Sequence, residues 1–323
     1  MNKKFRILSI DGGGLRGLIP LLILKYIEKK TGKKSWELFD LIVGTSTGGI
    51  IATGLTVTED GKTNLLTVDK LIELYTTNAN FIFPKKRGIS KLFQSVKSVF
   101  SPKYSSDGLD KLLKTYFKNL KLSDTLKPIC VTSYDLMNNE ISIFKSRKSQ
   151  EEGQNPFLFE ICRATSAAPT YLPSYNMKWN NKIRSMIDGG VYVNNPTLVG
   201  ISDALKNRYG RKVKLKDLKV LSLGTGTHSS NLGVKNTPKW GIIEWAKPIT
   251  DVMMQSSSRA VDYQVELLVE DYLRLQIEIF EEKFSSMSDS SPETREYLIK
   301  QVEEQIFNNS EIMSKINKFI EEL

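Results

Sequence analysis

The 323-residue chain is expected to be an α/β protein built on a mostly parallel sheet, with a helical C-terminal part. Three observations predict this. A short apolar strand, a glycine-rich turn and an apolar helix follow one another twice within the first 55 residues. A later strand, Leu218–Leu223 (LKVLSL), again runs into glycines. From Trp240 onward the pattern is helical, with little strand signal. Strand–turn–helix alternation places helices across the faces of a parallel sheet.

The elements follow in order. Phe5–Ile10 (FRILSI) reads as a buried strand, ended by Asp11-Gly12-Gly13-Gly14. Residues 15–30 read as a helix with Leu18, Leu21, Leu22, Leu24 and Ile27 at helical spacing. Pro20 is near its first turn, and Gly32 stops it. Residues 40–43 form a second apolar strand, which enters Gly44-Thr45-Ser46-Thr47-Gly48-Gly49 and then a helix over 50–55. Residues 128–133, 141–144 and 183–187 read as further strands. Residues 285–292, Ser-rich and ending in Pro292, read as an exposed loop. No internal repeat or linker is visible. Residues 1–226 are expected to carry the site, and residues 227–323 to form a mainly helical region packed on the same domain.

Composition narrows the chemistry. One histidine excludes any site that needs two, and two cysteines are too few for a disulfide framework or a cysteine zinc site. Histidine-pair and cysteine zinc sites are therefore not expected. Net charge is +10, unevenly spread: residues 251–323 hold 7 Lys/Arg against 16 Asp/Glu, a net of −9, and residues 1–250 hold 39 against 20, a net of +19. A basic body suits an anionic partner such as phospholipid, or serves solubility alone. Nucleic acid is not expected, since no aromatic-rich RNA-binding strand or zinc site appears. The chain shows no secretory signal and no run approaching the ~18 apolar residues of a membrane span. A cytoplasmic location is expected, and leaderless secretion is compatible with the same features.

Two glycine motifs carry the functional reading. Gly44-Thr45-Ser46-Thr47-Gly48 matches G-x-S-x-G, in which a serine on a sharp strand-to-helix turn needs small residues on both sides. The plain alternative is a serine that caps a helix. Gly12-Gly13-Gly14-Leu15-Arg16-Gly17 matches the dinucleotide fingerprint G-x-G-x-x-G, with Glu37 or Asp40 offered as the ribose acid. Consecutive glycine N–H groups beside a helix start equally suit an oxyanion hole, with Arg16 adding positive charge. A hydrolase uses both motifs, a dinucleotide-binding protein one.

A serine nucleophile needs a base. His228 is the sole histidine, and the order Ser46, Asp188, His228 matches that of α/β-hydrolases. Asp188, in Ile187-Asp188-Gly189-Gly190 at a strand end, could serve instead if burial raised its pKa. Spacing leaves both open.

Taken together, these segments resemble the patatin-like phospholipases. The resemblance rests on Asp11 to Gly17, Gly44 to Gly49, Asp188-Gly189-Gly190, Ser166-Ala167-Ala168-Pro169-Thr170-Tyr171 and Leu221-Ser222-Leu223-Gly224-Thr225-Gly226, in the family's order over residues 7–226. It implies a three-layer α/β/α fold and a Ser46–Asp188 dyad without histidine. Gly12, Gly13 and Gly14 would form the oxyanion hole. The implied activity is hydrolysis of acyl esters of phospholipids or neutral lipids, with no metal and no cofactor. A carboxylesterase of soluble substrates on the same scaffold is the alternative.

Residues 84–103 carry Lys85, Lys86, Arg87, Lys91, Lys97 and Lys103 and no acid, with Ile89, Leu92, Phe93, Val96, Val99 and Phe100 at helical spacing. Such a basic amphipathic helix could lie transiently on an anionic membrane or pack on the core. In the acidic tail, Val261, Val265, Leu268, Tyr272 and Leu275 also fall at helical spacing.

Overall fold

The computed structural model describes residues 4–82, 102–206, 209–228, 239–241, 244–245 and 249–323. The expected basic helix at 84–103 lies outside them, except for Pro102 and Lys103.

The strands are β1 (Phe5–Ile10), β2 (Leu41–Thr45), β3 (Ile129–Asp135), β4 (Glu140–Lys145), β5 (Tyr175–Trp179), β6 (Lys182–Asp188), β7 (Leu218–Leu223), β8 (Thr227–His228), β9 (Tyr272–Leu275) and β10 (Glu278–Ile279). The helices are α1 (Leu18–Thr31), α2 (Ser35–Leu38), α3 (Thr47–Thr56), α4 (Val68–Thr76), α5 (Ala79–Ile82), α6 (Asp107–Phe117), α7 (Leu158–Thr165), α8 (Thr197–Lys206), α9 (Ile249–Leu268), α10 (Pro292–Val302) and α11 (Ser310–Glu321). The main sheet has the order β5-β6-β3-β2-β1-β7-β9, with β4 also paired to β3. β1, β2, β3, β7 and β9 run parallel, whereas β4, β5 and β6 join by antiparallel pairings.

Three layers follow from the period-two alternation of strands buried on both faces. Phe5, Ile7, Leu41, Val43, Leu218 and Val220 face one side, where Ile201 and Ala204 of α8 and Val265 of α9 cover them. Leu8, Ile10, Ile42, Leu221 and Leu223 face the other side, against α1, α3 and the helices that follow. Gly32 caps α1 in a left-handed conformation, as its position past the periodic run predicts.

Register brings the motifs to one edge. Ile10 lies beside both Gly44 and Leu223, so the turns after β1, β2 and β7 share the carboxyl edge of the sheet. Thr45 pairs with Thr132, and the next residue of β3, Ser133, pairs with Asp188. Asp188 therefore ends its strand on the row that Ser46 enters.

The C-terminal part departs from expectation in two ways. It contributes a strand: β9 adds to the sheet beside β7, and Tyr272 and Leu275 belong to it rather than to a helical stripe. A four-residue strand interrupted by Arg274 gives too little alternation to be seen among helical patterns. The serine-rich loop is also not exposed. Ser288 and Ser290 are buried, because their hydroxyls take partners: Lys103 and Tyr104 donate to Ser288, and Ser290 donates to Asn80.

Candidate active site

Ser46 adopts φ 55° and ψ −121°, a backbone conformation that costs a non-glycine residue about 1–3 kcal/mol. Several contacts hold it there. Its N–H donates to the Thr165 hydroxyl at 2.8 Å, and that hydroxyl donates to the Thr132 carbonyl at 2.6 Å. A Cβ on Gly44 would stand 2.1 Å from the Gly48 carbonyl oxygen, and one on Gly48 would stand 2.1 Å from the Ile10 carbonyl oxygen. The G-x-S-x-G spacing thus answers a collision with backbone on each side. Gly48→Ala is expected to cost about 3 kcal/mol or more in urea unfolding, because backbone cannot swing aside as a side chain would.

Asp188 is buried, and its two carboxylate oxygens are divided between two donors. The Ser46 hydroxyl donates to Oδ2 at 2.5 Å, and the Gly190 N–H donates to Oδ1 at 2.7 Å. Burial pushes the carboxyl up to about 6; these two hydrogen bonds pull the other way and are outweighed. The result is a carboxylate more basic than usual, bonded to a serine hydroxyl.

The three glycines after Asp11 are not equivalent. The Gly12 N–H donates to the Asn194 carbonyl at 3.1 Å, so it is not available as the third donor expected. Gly13 and Gly14 line the cavity beside Ser46, and among the described residues their N–H groups carry no backbone bond. Gly14 has φ +56°, and a Cβ there would also strike the Met287 carbonyl oxygen at 2.3 Å. Arg16 does not line the cavity. Its guanidinium is buried and donates to the Ser285 carbonyl at 3.2 Å, tying the turn to the serine-rich loop. Gly17 packs against Thr47 and Tyr75, and Gly189 against Thr132.

The C-terminal region reaches the same edge. Arg274 of β9 grips Asp11 with two N–H groups, at 2.9 and 2.5 Å, and Ser258 of α9 adds a third bond at 3.0 Å. The Leu15 N–H donates to the Met287 carbonyl at 2.9 Å. Thr165, Asn194, Arg274 and Ser258 were not singled out from sequence. The one hint was Asp11 itself, a carboxylate ending an apolar strand, which burial obliges to find a partner.

Ser46 and Asp188 open into a cavity of about 260 Å³. Ile50, Tyr75, Ile82, Leu109 and Leu172 supply apolar wall, and Met253, Met254 and Met287 come from the C-terminal region. The Tyr75 hydroxyl is bonded to that of Thr47, the residue after the candidate nucleophile.

His228 sits elsewhere. Its Nδ1 pairs with the Ile279 carbonyl at 2.8 Å across the β8–β10 bridge, and it does not line the cavity. The dinucleotide alternative loses its acids. Asp40 is held by Arg6 at the opposite end of β2, and Glu37 accepts from the Lys34 N–H. Among the described residues no group of three or more His, Cys, Asp or Glu could hold a metal ion, and no helix is long and apolar enough to cross a membrane.

Known proteins match both the sequence and the fold. The chain is 31% identical to patatin-like protein 2 of Oryza sativa subsp. indica, over 92% of this chain and 82% of that one. It is 32% identical to patatin-like protein 2 of Arabidopsis thaliana, over 91% and 81%. The crystal structure of VipD from Legionella pneumophila shares the fold, with a TM-score of 0.50 at 13% identity, covering 98% of this chain and 67% of that one. The sequence pattern described as patatin-like phospholipase matches residues 8–201. Both glycine motifs and Asp188 fall inside that match, and the chain belongs to the patatin-like phospholipase family.

Proposed function

We propose that the chain is a serine acyl hydrolase that cleaves fatty acyl esters of phospholipids without a metal or cofactor, using Ser46 as nucleophile and Asp188 as base. The observation that carries this reading is the 2.5 Å bond from the Ser46 hydroxyl to a buried carboxylate, at the wall of an apolar cavity. Family membership adds the lipid character of the substrate.

In this mechanism Asp188 Oδ2 takes the Ser46 proton as Oγ attacks the ester carbonyl carbon. The carbonyl oxygen becomes an oxyanion and receives the N–H groups of Gly13 and Gly14. One such donor is worth ~2.7–4 kcal/mol of transition-state stabilisation. Collapse of the tetrahedral intermediate breaks the ester C–O bond, and Asp188 returns its proton to the leaving alcohol, here a lysolipid. Water then loses a proton to Asp188 and attacks the acyl-serine, which releases the fatty acid and restores Ser46. A carboxylate of ordinary pKa is a weak base for this work, and burial corrects that.

The test is fatty-acid release from phosphatidylcholine vesicles by wild type and Ser46→Ala, with and without EDTA. Release should require Ser46 and ignore EDTA. It should rise with pH through about 6, because the base must be ionised. Release that persists in Ser46→Ala would overturn the dyad. Activity confined to short-chain soluble esters would reassign the substrate class.

A further inference from the structure

Among the described residues, the helix α9 has one face accounted for and another without a partner. Ser258 and Val265 are buried against the body of the protein. On the opposite face, Ile249, Met253, Ser256, Ala260, Tyr263 and Leu267 are all exposed, Tyr263 at 66% and Leu267 at 70%. They recur at intervals of four and three residues, which puts them on one straight stripe about 27 Å long. None is charged. The charged residues Asp251, Arg259, Asp262 and Glu266 lie together along one flank of the stripe instead.

The stripe begins at the mouth of the catalytic cavity. Met253 belongs to both: it lines the cavity and is 55% exposed. Thr250, one residue from Ile249, also lines the cavity. A continuous uncharged surface that leads from solvent into an apolar cavity is unusual on a free protein and marks a contact face. If the substrate is a bilayer lipid, as the proposed function has it, the cavity mouth must rest on the bilayer for the acyl chain to leave one apolar medium for another.

We propose that the α9 stripe is the surface by which the protein docks on a lipid bilayer, lying parallel to the interface with Tyr263 and Leu267 inserted. A helix lying in the interface plane buries its apolar face at the boundary between head groups and acyl chains. Since the stripe is uncharged and its flank is largely acidic, apolar burial drives the docking. Binding to phosphatidylcholine vesicles therefore resists added salt.

The experiment uses the full chain carrying Ser46→Ala, so that vesicles stay intact. Co-sedimentation with phosphatidylcholine vesicles is compared with and without the pair Tyr263→Glu and Leu267→Glu, at low and high salt. The bound fraction should fall at least about tenfold. In the Ser46 protein the same pair should slow vesicle hydrolysis in parallel and leave short-chain ester turnover unchanged, since neither residue lines the cavity. Leu267→Gln alone gives a milder version with a smaller decrease, and circular dichroism melting confirms that each variant is folded. Unchanged vesicle binding would overturn the proposal. So would a wild-type dimer that the pair converts to monomer, because the stripe would then be covered by a second copy. Failure of the wild type to hydrolyse any ester would sink the proposed function alone, as the binding arm needs no chemistry.

Discussion

Replacing Asp188 by asparagine is expected to lower ester turnover at least ~10⁴-fold while making the protein more stable near pH 8. In the proposed mechanism the loss of turnover follows from removing the carboxylate that accepts the Ser46 hydroxyl hydrogen bond. The gain in stability follows from linkage. Asp188 has an ordinary value of 3.8 and a folded value of about 6, so the folded state holds that proton more tightly than the unfolded chain does. The stabilisation this gives is complete below about 3.8 and is lost as pH rises through 6. Above 6 the buried charge costs about 3 kcal/mol relative to an ordinary aspartate. Asparagine keeps the shape and carries no charge, so Asp188→Asn should raise the urea midpoint near pH 8 and leave it nearly unchanged near pH 4. Equal effects at both pH values would mean that the carboxylate is not desolvated as described. The same burial that makes Asp188 a better base destabilises the fold that contains it.

The second large effect concerns Arg274. Arg274→Met should destabilise the protein by about 3–5 kcal/mol, since it strands the Asp11 carboxylate in a buried position. Ser258 alone would still donate to it. Activity should fall as well, because Asp11 begins the turn that carries Gly13 and Gly14, which line the cavity. Combining Arg274→Met with Asp11→Asn removes both charges and should recover most of the lost stability, as replacing a buried pair is far less costly than breaking one. A urea double-mutant cycle measures the coupling. Simple additivity of the two single variants would show that the ion pair contributes nothing.

The parts of this molecule legible in its sequence are those whose cause is local. Gly44 and Gly48 are glycine because backbone passes within 2.1 Å of where a side chain would begin, and that need shows as spacing around Ser46. β1, β2 and β7 are buried at every position because both faces are covered, so apolar residues fall on both faces and each reads as a short buried strand. The parts that stayed hidden have distant causes. Arg274 reads as a surface residue in a helical tract until Asp11, 263 positions away, supplies the charge that allows it inside. The serine-rich loop reads as solvent-exposed because its hydroxyls need partners, and Lys103, Tyr104 and Asn80 provide them only in the folded chain. His228 and Asp188 were equal on spacing as partners of Ser46; register separates them, since Ser133 pairs with Asp188 in the sheet while His228 pairs with Ile279 outside it.

The placement of β1 sets when this protein can first act during its synthesis. β1 ends at Ile10, yet one of its two neighbours, β7, begins only at Leu218, and β9 follows at Tyr272. Until β7 emerges, β1 lacks the partner of one edge, and an unpaired strand edge is a site for aggregation. The cavity beside Ser46 is likewise unfinished, because Met253, Met254 and Met287 are still to come. The hydrolase proposed above would thus stay inactive while it is being made, and its activity would arrive together with its complete fold.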